Sequence, residues 1–447
     1  MNWPLPLTAT EELLLVDDRP AYPCCCFVRA EFSGCFDRSP LEAAIRAALR
    51  QHPLLTALVA RRGRQWVWVP VDHPQPVIEW MAKPPGEVLP PAQRIDLTAE
   101  IGIRFQVLLG GAASTLILQF HHATCDGIGI FQFLHDLLVA YAPSVGRSPN
   151  AAEVTTPALK SLARRRTFEL TMAERLRMLP LQIMNLWRAR QFLHRLPTAL
   201  IPYPAQPHDS PAYGSYPATL SARLTAEETA ALRRMAKQLG VTMNDLLLRD
   251  TFLACDEWRK SRGSHRSGDC LRMAVPINLR KAHDRPGSAA NVVSILMLDR
   301  GDADFEEPSR FLSGIHAEMD RAKRRQMGFT FPLATELCRH LPGGLRKHLW
   351  AKKCLTSTFL SNLGVMYEHS PLKDRSGLLV AGDMTLEMLE LLPPLRPYIS
   401  AGFAAGTYAQ RLWIALHYDP RASTQAQAQA LMAIFLRRVQ SSSESPK

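Results

Sequence analysis

The sequence predicts an α/β protein built from two domains, and three observations support this prediction. The chain has 447 residues, more than one hydrophobic core ordinarily serves, so two domains of about 200 residues are expected. Apolar segments typical of buried strands alternate with segments of helical periodicity. A proline-rich stretch near the middle is typical of a linker. We therefore expect an N-terminal lobe over residues 1–196, a linker over 197–217 and a C-terminal lobe over 218–447.

Charge and composition narrow the classes of partner. Lys and Arg number 53 and Asp and Glu 41, which gives a formal net charge of +12 at pH 7. This excess favours an acidic partner, and phosphate groups are the obvious candidates. Nucleic acid is the rival partner, but the chain shows no nucleic-acid-binding motif, so none is expected.

The sequence also predicts where the protein resides and the redox state of its cysteines. No apolar run reaches the roughly 18–20 residues of a membrane span. The first residues lack the basic-then-apolar order of a signal peptide. The nine cysteines include no CxxC pair, so neither a zinc framework nor a disulfide scaffold is indicated. We expect a cytoplasmic protein with free thiols.

The first lobe is predicted to contain a mixed sheet with helices on it. A capping signal before two acidic residues starts a helix near Thr10. A strand is predicted over residues 27–32, and a helix with one apolar face over 39–51. Further strands over 66–71 and 103–109 lead to the central stretch of the chain.

The central stretch, residues 114–130, carries the chemistry. An apolar run typical of a buried strand ends on His121 and His122, and a helix is predicted from Ile128. An imidazole titrates near pH ~6.5, so His122 is largely a neutral base at neutral pH and can accept a proton from a hydroxyl or an amine. Gly127 permits a positive φ or another tight backbone path. The carboxylate of Asp126 can orient the loop by pairing with an arginine.

Two other interpretations of the histidine pair were weighed. The pair can simply be the polar end of a strand. A metal site is the second alternative, because His121, His122, Cys125 and Asp126 are all of ligand type. Adjacent strand residues point to opposite faces, however, so the two imidazoles do not easily share one ion, and no metal is expected.

Residues 121–127, His-His-Ala-Thr-Cys-Asp-Gly, match an HHxxxDG signature. The chain thereby resembles the chloramphenicol acetyltransferase-like superfamily, which includes condensation domains, alcohol acetyltransferases, polyketide-associated acyltransferases and wax ester synthases. The resemblance implies two lobes, each a mixed sheet with helices, with an active-site tunnel between them. It implies that His122 is the general base and that Asp126 holds the loop through a salt bridge, with His121 and Gly127 completing the motif.

The second lobe offers supporting candidates. A capping box at Thr225 starts one helix, and Asn244 near the start of the next resembles a Thr-x-Asn-Asp element of wax synthases and condensation domains, or is part of an ordinary N-cap. Arg280 ends a Val-Pro-x-x-Leu-Arg segment like that of wax synthases and is the candidate salt-bridge partner of Asp126. Ser361 and Asn362 resemble the Ser-Asn-x-Gly segment of alcohol acetyltransferases, which can stabilise an oxyanion or hold a thioester; a plain turn is the alternative.

Residues 156–200 are both basic and apolar. They are interpreted as helices between the lobes with a solvated basic face, or as a site for an acidic acyl carrier protein or a peripheral membrane contact. A faint internal repeat also aligns residues 116–122 with 412–418, which places Tyr418 at the position of His122.

The sequence therefore predicts an acyltransferase that forms an ester. An acyl thioester, on coenzyme A or a carrier phosphopantetheine, is the co-substrate, an alcohol is the acceptor, and no cofactor is bound. The same base serves an amine, so an amide-forming condensation enzyme stays open, as does a catalytically silent docking module.

Overall fold

The structure of the protein is a computed structural model that describes residues 3–83, 89, 93–145, 162, 165–168, 170–189, 195–201, 217–280, 287–350 and 353–443. Most of the predicted linker, 202–216, lies outside the described residues, as do Lys160, Arg164 and Arg190 of the basic segment.

Strands and helices alternate along the chain, as the apolar patterns predict. The strands are β1 Leu5–Pro6, β2 Cys25–Ser33, β3 Leu58–Arg62, β4 Gln65–Val69, β5 Val77–Ala82, β6 Ile103–Gly110, β7 Ala113–His121, β8 Ala218–Arg223, β9 Cys270–Asn278, β10 Val293–Gly301, β11 Thr358–Val365, β12 Leu379–Ala381, β13 Met384–Leu392, β14 Ala401–Tyr408 and β15 Arg411–Tyr418. The helices are α1 Ala9–Asp17, α2 Arg38–Gln51, α3 Pro53–Thr56, α4 Gly127–Tyr141, α5 Met172–Ala189, α6 Ala226–Gln238, α7 Met243–Ser261, α8 Asp302–Phe305, α9 Pro308–Arg324, α10 Thr330–Arg339, α11 Gly344–Leu349 and α12 Gln425–Ser441.

The chain divides into two compact units. The first consists of Met1–Thr171, Leu279–Val293 and Leu363–Pro394, and the second of the remaining segments. This division differs from the predicted boundaries, because two later segments of the chain belong to the first unit. One reason is strand pairing, since β13 is hydrogen-bonded to β2 from Leu386–Phe32 to Leu392–Phe27.

The main sheet of the first unit has the strand order β12-β13-β2-β7-β6-β5. Strand β7 pairs antiparallel with both β2 and β6, and β5 pairs parallel with β6, so the sheet is mixed. Residues 114–121 of β7 are all buried, because the strand lies inside the sheet with its faces covered. Helix α4 leaves the end of β7 and packs against α2. The unit also contains a small sheet of order β1-β4-β3.

The sheet of the second unit has the order β10-β9-β11-β14-β15-β8. It is also mixed, because β11 pairs parallel with β9 whereas β15 pairs antiparallel with β14 and β8. Its core includes Phe252, Phe403 and Phe435. Ser361 and Asn362 lie in strand β11 rather than in the plain turn considered from the sequence. Among the described residues, no helix combines the length and apolarity needed to cross a membrane.

Candidate active site

The 121–127 loop is held between a buried strand and a helix. His121 is the last residue of β7, and Gly127 is the first residue of α4. Its backbone is fixed where the strand ends, since the His121 N–H donates to the carbonyl oxygen of Gly102 at 2.9 Å and the His122 N–H to that of Cys24 at 2.8 Å. The two histidines therefore sit on a rigid part of the first unit.

The tautomer of His122 is set by the loop itself. Its Nδ1 lies 3.1 Å from the backbone carbonyl oxygen of Cys125. A carbonyl oxygen can only accept, so Nδ1 carries the proton and the lone pair of the neutral ring is on Nε2. The loop thus determines which nitrogen can act as a base.

The protonation state of His122 is also set by its surroundings. Burial lowers the pKa of the imidazole below its usual value of 6.5, because it disfavours the cation. The hydrogen bond to Cys125 and the charge of Asp126 act in the opposite direction without reversing the shift. The side chain is nevertheless partly exposed. At pH 7 the imidazole is therefore in its neutral, basic form.

Asp126 is fully used as a hydrogen-bond acceptor within the first unit. Its Oδ1 accepts from the Gly129 N–H at 2.8 Å, which caps the N-terminus of α4. Its Oδ2 accepts from Arg280 Nη1 and from the Val292 N–H, both at 2.8 Å. Asp126 is 4% exposed, and its carboxylate holds the loop through these three bonds.

Val292, one of the partners of Asp126, belongs to a short segment, residues 289–292, which contacts the loop at several points. The carbonyl oxygen of Ala290 accepts from the Asp126 N–H at 3.3 Å and from Arg280 Nη2 at 2.9 Å. Asn291 Nδ2 donates to the carbonyl oxygens of His122 at 2.8 Å and Ala123 at 2.9 Å. This segment, which we call the clamp segment, fixes the backbone at the catalytic candidate and in the residues that follow it.

Sequence reasoning missed Asn291. The residue was not identified as a candidate; it precedes β10 and is 3% exposed. The available signal was an amide side chain between a turn of small residues and an apolar strand. Such a signal does not identify the bond partners, which lie 169 and 168 positions away in the chain.

His52 forms a hydrogen bond with the clamp segment and a second one with helix α4. Its Nδ1 accepts from the Ala289 N–H at 2.8 Å, so its Nε2 is the protonated nitrogen, 3.0 Å from Asp136 Oδ2 on helix α4. The ring is 1% exposed. A buried histidine thereby ties the clamp segment to the helix that follows the loop.

His121 has a structural environment. It is fully buried, and its Nδ1 accepts from the Ala123 N–H at 3.0 Å. Its Nε2 lies 3.7 Å from Asp18 Oδ2. The two neighbouring imidazoles thus have different partners, and no group of three metal-ligand side chains occurs among the residues that the structure describes.

Gly127 is required for a reason other than the predicted positive φ. It is not among the glycines with positive φ, because it already belongs to α4. A Cβ atom there would lie 2.8 Å from the Cδ2 atoms of both Leu363 and Leu391. The part of the expectation that concerned φ is therefore wrong, and close packing of side chains explains the glycine.

The remaining candidates lie in the second unit. Asn244 is the second residue of α7, and Thr242 supplies the N-cap of that helix. Asn362 Nδ2 donates to Asn244 Oδ1 at 3.1 Å. Ser361 is 9% exposed beside it in β11. The structure thus brings Asn244 and Asn362 together, and their functional roles stay predictions.

Comparison with known proteins gives sequence relatives of unassigned activity. No family model matches the chain. Two proteins of Mycobacterium tuberculosis, "Uncharacterized protein MT2362" of strain CDC 1551 / Oshkosh and "Uncharacterized protein Rv2305" of strain ATCC 25618 / H37Rv, are each 28% identical to it over 387 residues. These residues cover 81% of this chain and 84% of each relative.

Solved structures match the chain over its length. The first condensation domain of the CDA synthetase superposes with a TM-score of 0.72 at 15% identity, covering 100% of this chain and 97% of that domain. A mutant starter condensation domain of rhizomide synthetase RzmA, in complex with C8-CoA and Leu-SNAC, gives 0.68 at 14%, covering 98% and 94%. Polyketide synthase associated protein 5 from Mycobacterium tuberculosis gives 0.62 at 16%, covering 99% and 98%. The predicted fold class is confirmed.

Proposed function

We propose that this chain, which has the condensation-domain fold of the chloramphenicol acetyltransferase-like superfamily, is an acyltransferase that moves an acyl group from a thioester to an alcohol. The observation that carries the proposal is the state of His122. Its Nδ1 is bound by the Cys125 carbonyl and its pKa is lowered by burial. A neutral imidazole whose Nε2 carries the lone pair is the group that such a reaction needs.

The reaction is a direct transfer. Nε2 of His122 takes the proton of the acceptor hydroxyl while the oxygen attacks the thioester carbonyl. The tetrahedral intermediate then collapses, the carbon–sulfur bond breaks, and the imidazolium returns its proton to the leaving thiolate. General-base catalysis of this kind contributes about 10²–10⁴-fold. The products are an ester and a free thiol.

A covalent acyl-enzyme on the motif cysteine is disfavoured. Cys125 is fully buried, and burial, reinforced by the charge of Asp126, raises the pKa of its thiol well above the usual value. Because the thiolate is the nucleophilic form, a thiol in this environment is inert at neutral pH. His122 is therefore assigned as a base for the acceptor and not for a cysteine.

The proposed donor is acyl-coenzyme A or an acyl-phosphopantetheine on a carrier protein. The net charge of +12 suits the phosphates of either donor. The RzmA domain of the same fold is described in complex with C8-CoA, which supports a coenzyme A thioester here. Asn244, Ser361 and Asn362 are proposed to contact the thioester or its oxyanion through hydroxyl and amide groups.

The experiment is a mass-spectrometric screen of purified protein with acyl-coenzyme A thioesters of short to long chain against pooled alcohols and amines. His122→Ala is compared with the wild type, and His73→Ala is the matched control. His73 is an exposed histidine between β4 and β5 of the same unit. We expect a new ester mass and free coenzyme A, both reduced about 10²–10⁴-fold in His122→Ala and unchanged in His73→Ala.

Other outcomes separate the alternatives. A new amide instead of an ester identifies an amide-forming condensation enzyme that uses the same base. No product with any coenzyme A thioester directs the screen to acyl-loaded carrier proteins. Absence of product there as well would identify a catalytically silent docking module. Full activity of His122→Ala would refute the proposed base.

A further inference from the structure

Helix α5, Met172–Ala189 of the second unit, exposes its large apolar side chains. These residues, which we call the α5 surface, are Met172 (62% exposed), Leu176 (61%), Leu179 (47%), Ile183 (58%) and Trp187 (71%). At about 100° per residue they fall within an arc of about 80° on the helix. They therefore form one continuous apolar stripe and not scattered exposed residues.

Polar groups help to attach the same helix to its unit. Gln182 and Asn185 are 4% and 1% exposed. Gln182 Nε2 donates to the carbonyl oxygen of Gln326, and Asn185 Nδ2 to that of Arg325, both at 3.1 Å. Gln182 Oε1 accepts from the Thr330 hydroxyl at 2.8 Å. The helix thus buries two amides beside Met178, which is 8% exposed, while five large apolar side chains face outward.

Basic side chains accompany the α5 surface. Arg175, Arg177 and Arg188 lie on the helix itself, against one acidic residue, Glu174. The C-terminal end of α9, whose Arg325 carbonyl receives the Asn185 bond, adds exposed Arg321 and Lys323.

The neighbouring helices also expose apolar and basic side chains. Helix α10 packs against α5, and Leu337 and Leu341 at its C-terminal end are 52% and 53% exposed. Helix α11, which follows, carries exposed Arg346 and Lys347. Apolar and cationic side chains are thus exposed together on consecutive elements of one unit.

We propose that the α5 surface binds the surface of an anionic lipid membrane, with helix α5 lying in the headgroup region. An exposed apolar stripe with a tryptophan and flanking arginines is the pattern of an interfacial helix: the apolar chains enter the acyl boundary while the cations meet lipid phosphates. At about 1.5 Å per residue the helix is about 27 Å long. This inference is independent of the proposed acyl transfer.

The test is co-sedimentation of the full chain with vesicles of equal parts phosphatidylcholine and phosphatidylglycerol, compared with phosphatidylcholine alone. The double variant Leu176→Ser, Ile183→Ser removes apolar contact, and Arg175→Gln, Arg177→Gln removes charge. Leu239→Ser is the matched control, since Leu239 is 46% exposed at the end of α6 in the same unit. The four positions changed in the two double variants are all exposed, and circular dichroism verifies that each variant is folded.

We expect the wild type and Leu239→Ser to bind the anionic vesicles equally, and the apolar double variant to bind at least about tenfold more weakly. Binding should weaken for the arginine variant, in high salt and on phosphatidylcholine alone. A wild type that stays in the supernatant, or an apolar variant that binds as well as wild type, overturns the proposal. Sedimentation velocity without lipid provides a further check: self-association lost in the apolar variant, without vesicle binding, assigns the surface to a second copy of the chain.

Discussion

Asp126 allows a sharp test of how the candidate site is held, through the substitution Asp126→Ala. In the structure this carboxylate accepts three hydrogen bonds at 2.8 Å, from the Gly129 N–H, the Val292 N–H and the Arg280 guanidinium. Alanine removes both acceptor oxygens, and with them all three bonds, and leaves the donors in a region where the side chains of Asp126 and Arg280 are 5% and 21% exposed. The loop and the clamp segment, residues 289–292, should then separate.

The loss of local stability expected in Asp126→Ala follows from the individual contacts. Loss of an N-cap bond costs about 1 kcal/mol, and a buried N–H left without a partner costs about 1–3 kcal/mol. Loss of one member of a buried ion pair costs up to about 3–5 kcal/mol, but Arg280 is partly exposed and can turn to solvent, so only part of that applies. We expect local opening to become easier by about 3–5 kcal/mol, or about 10²–10⁴-fold.

Hydrogen–deuterium exchange measures this opening directly in the peptides that cover residues 122–131 and 287–293. The matched control is Thr424→Ala, which removes an N-cap side chain that accepts from Gln427 N at 3.3 Å and has no ion pair to lose. It should accelerate exchange at the start of α12 by only about tenfold. If Asp126→Ala changes its two peptides no more than Thr424→Ala changes its own, Asp126 does not hold the loop in the way described.

Two further predictions concern activity. Since burial lowers the pKa of His122 and only the neutral ring is a base, kcat/KM should fall as the pH is lowered, with a midpoint below 6.5; a midpoint at or above 7 contradicts the assignment. Asn291→Ala removes both bonds to the backbone beside His122, so kcat should fall about 10–100-fold with little change in KM; an unchanged kcat, or a change confined to KM, shows that Asn291 does not position the base.

Much of the local structure around the site was accessible from the sequence. The apolar run before His121 predicted a buried strand, and β7 is that strand. The helical periodicity from Ile128 predicted α4, which begins one residue earlier at Gly127. Such features depend on interactions between residues a few positions apart and on which face of an element is apolar, and both are visible in a linear pattern.

The features that were predicted wrongly, or not predicted, depend on contacts between residues far apart in the sequence. Gly127 was expected to permit a positive φ or another tight backbone path; its φ is not positive, and a Cβ atom there would crowd Leu363 and Leu391. Asn291 was not identified from the sequence, and its side chain donates to the carbonyl oxygens of His122 and Ala123. Residues 156–200 were interpreted from their composition as helices with a solvated basic face, or as a site for an acidic carrier protein or a peripheral membrane contact. Only the structure shows which apolar side chains of α5 are exposed and that Gln182 and Asn185 are buried.

By itself, the sequence determined the α/β character, the strand–loop–helix that presents His122, and the chemistry available at the loop. The bond between His122 Nδ1 and the Cys125 carbonyl spans three residues, so even the base nitrogen is decided locally. Only the tertiary structure decided what surrounds the loop: the bonds from Arg280 and Val292 to Asp126 span 154 and 166 residues. These contacts depend on the order in which distant strands pair to bury a shared core, and that order is a property of the whole unit and not of any local pattern.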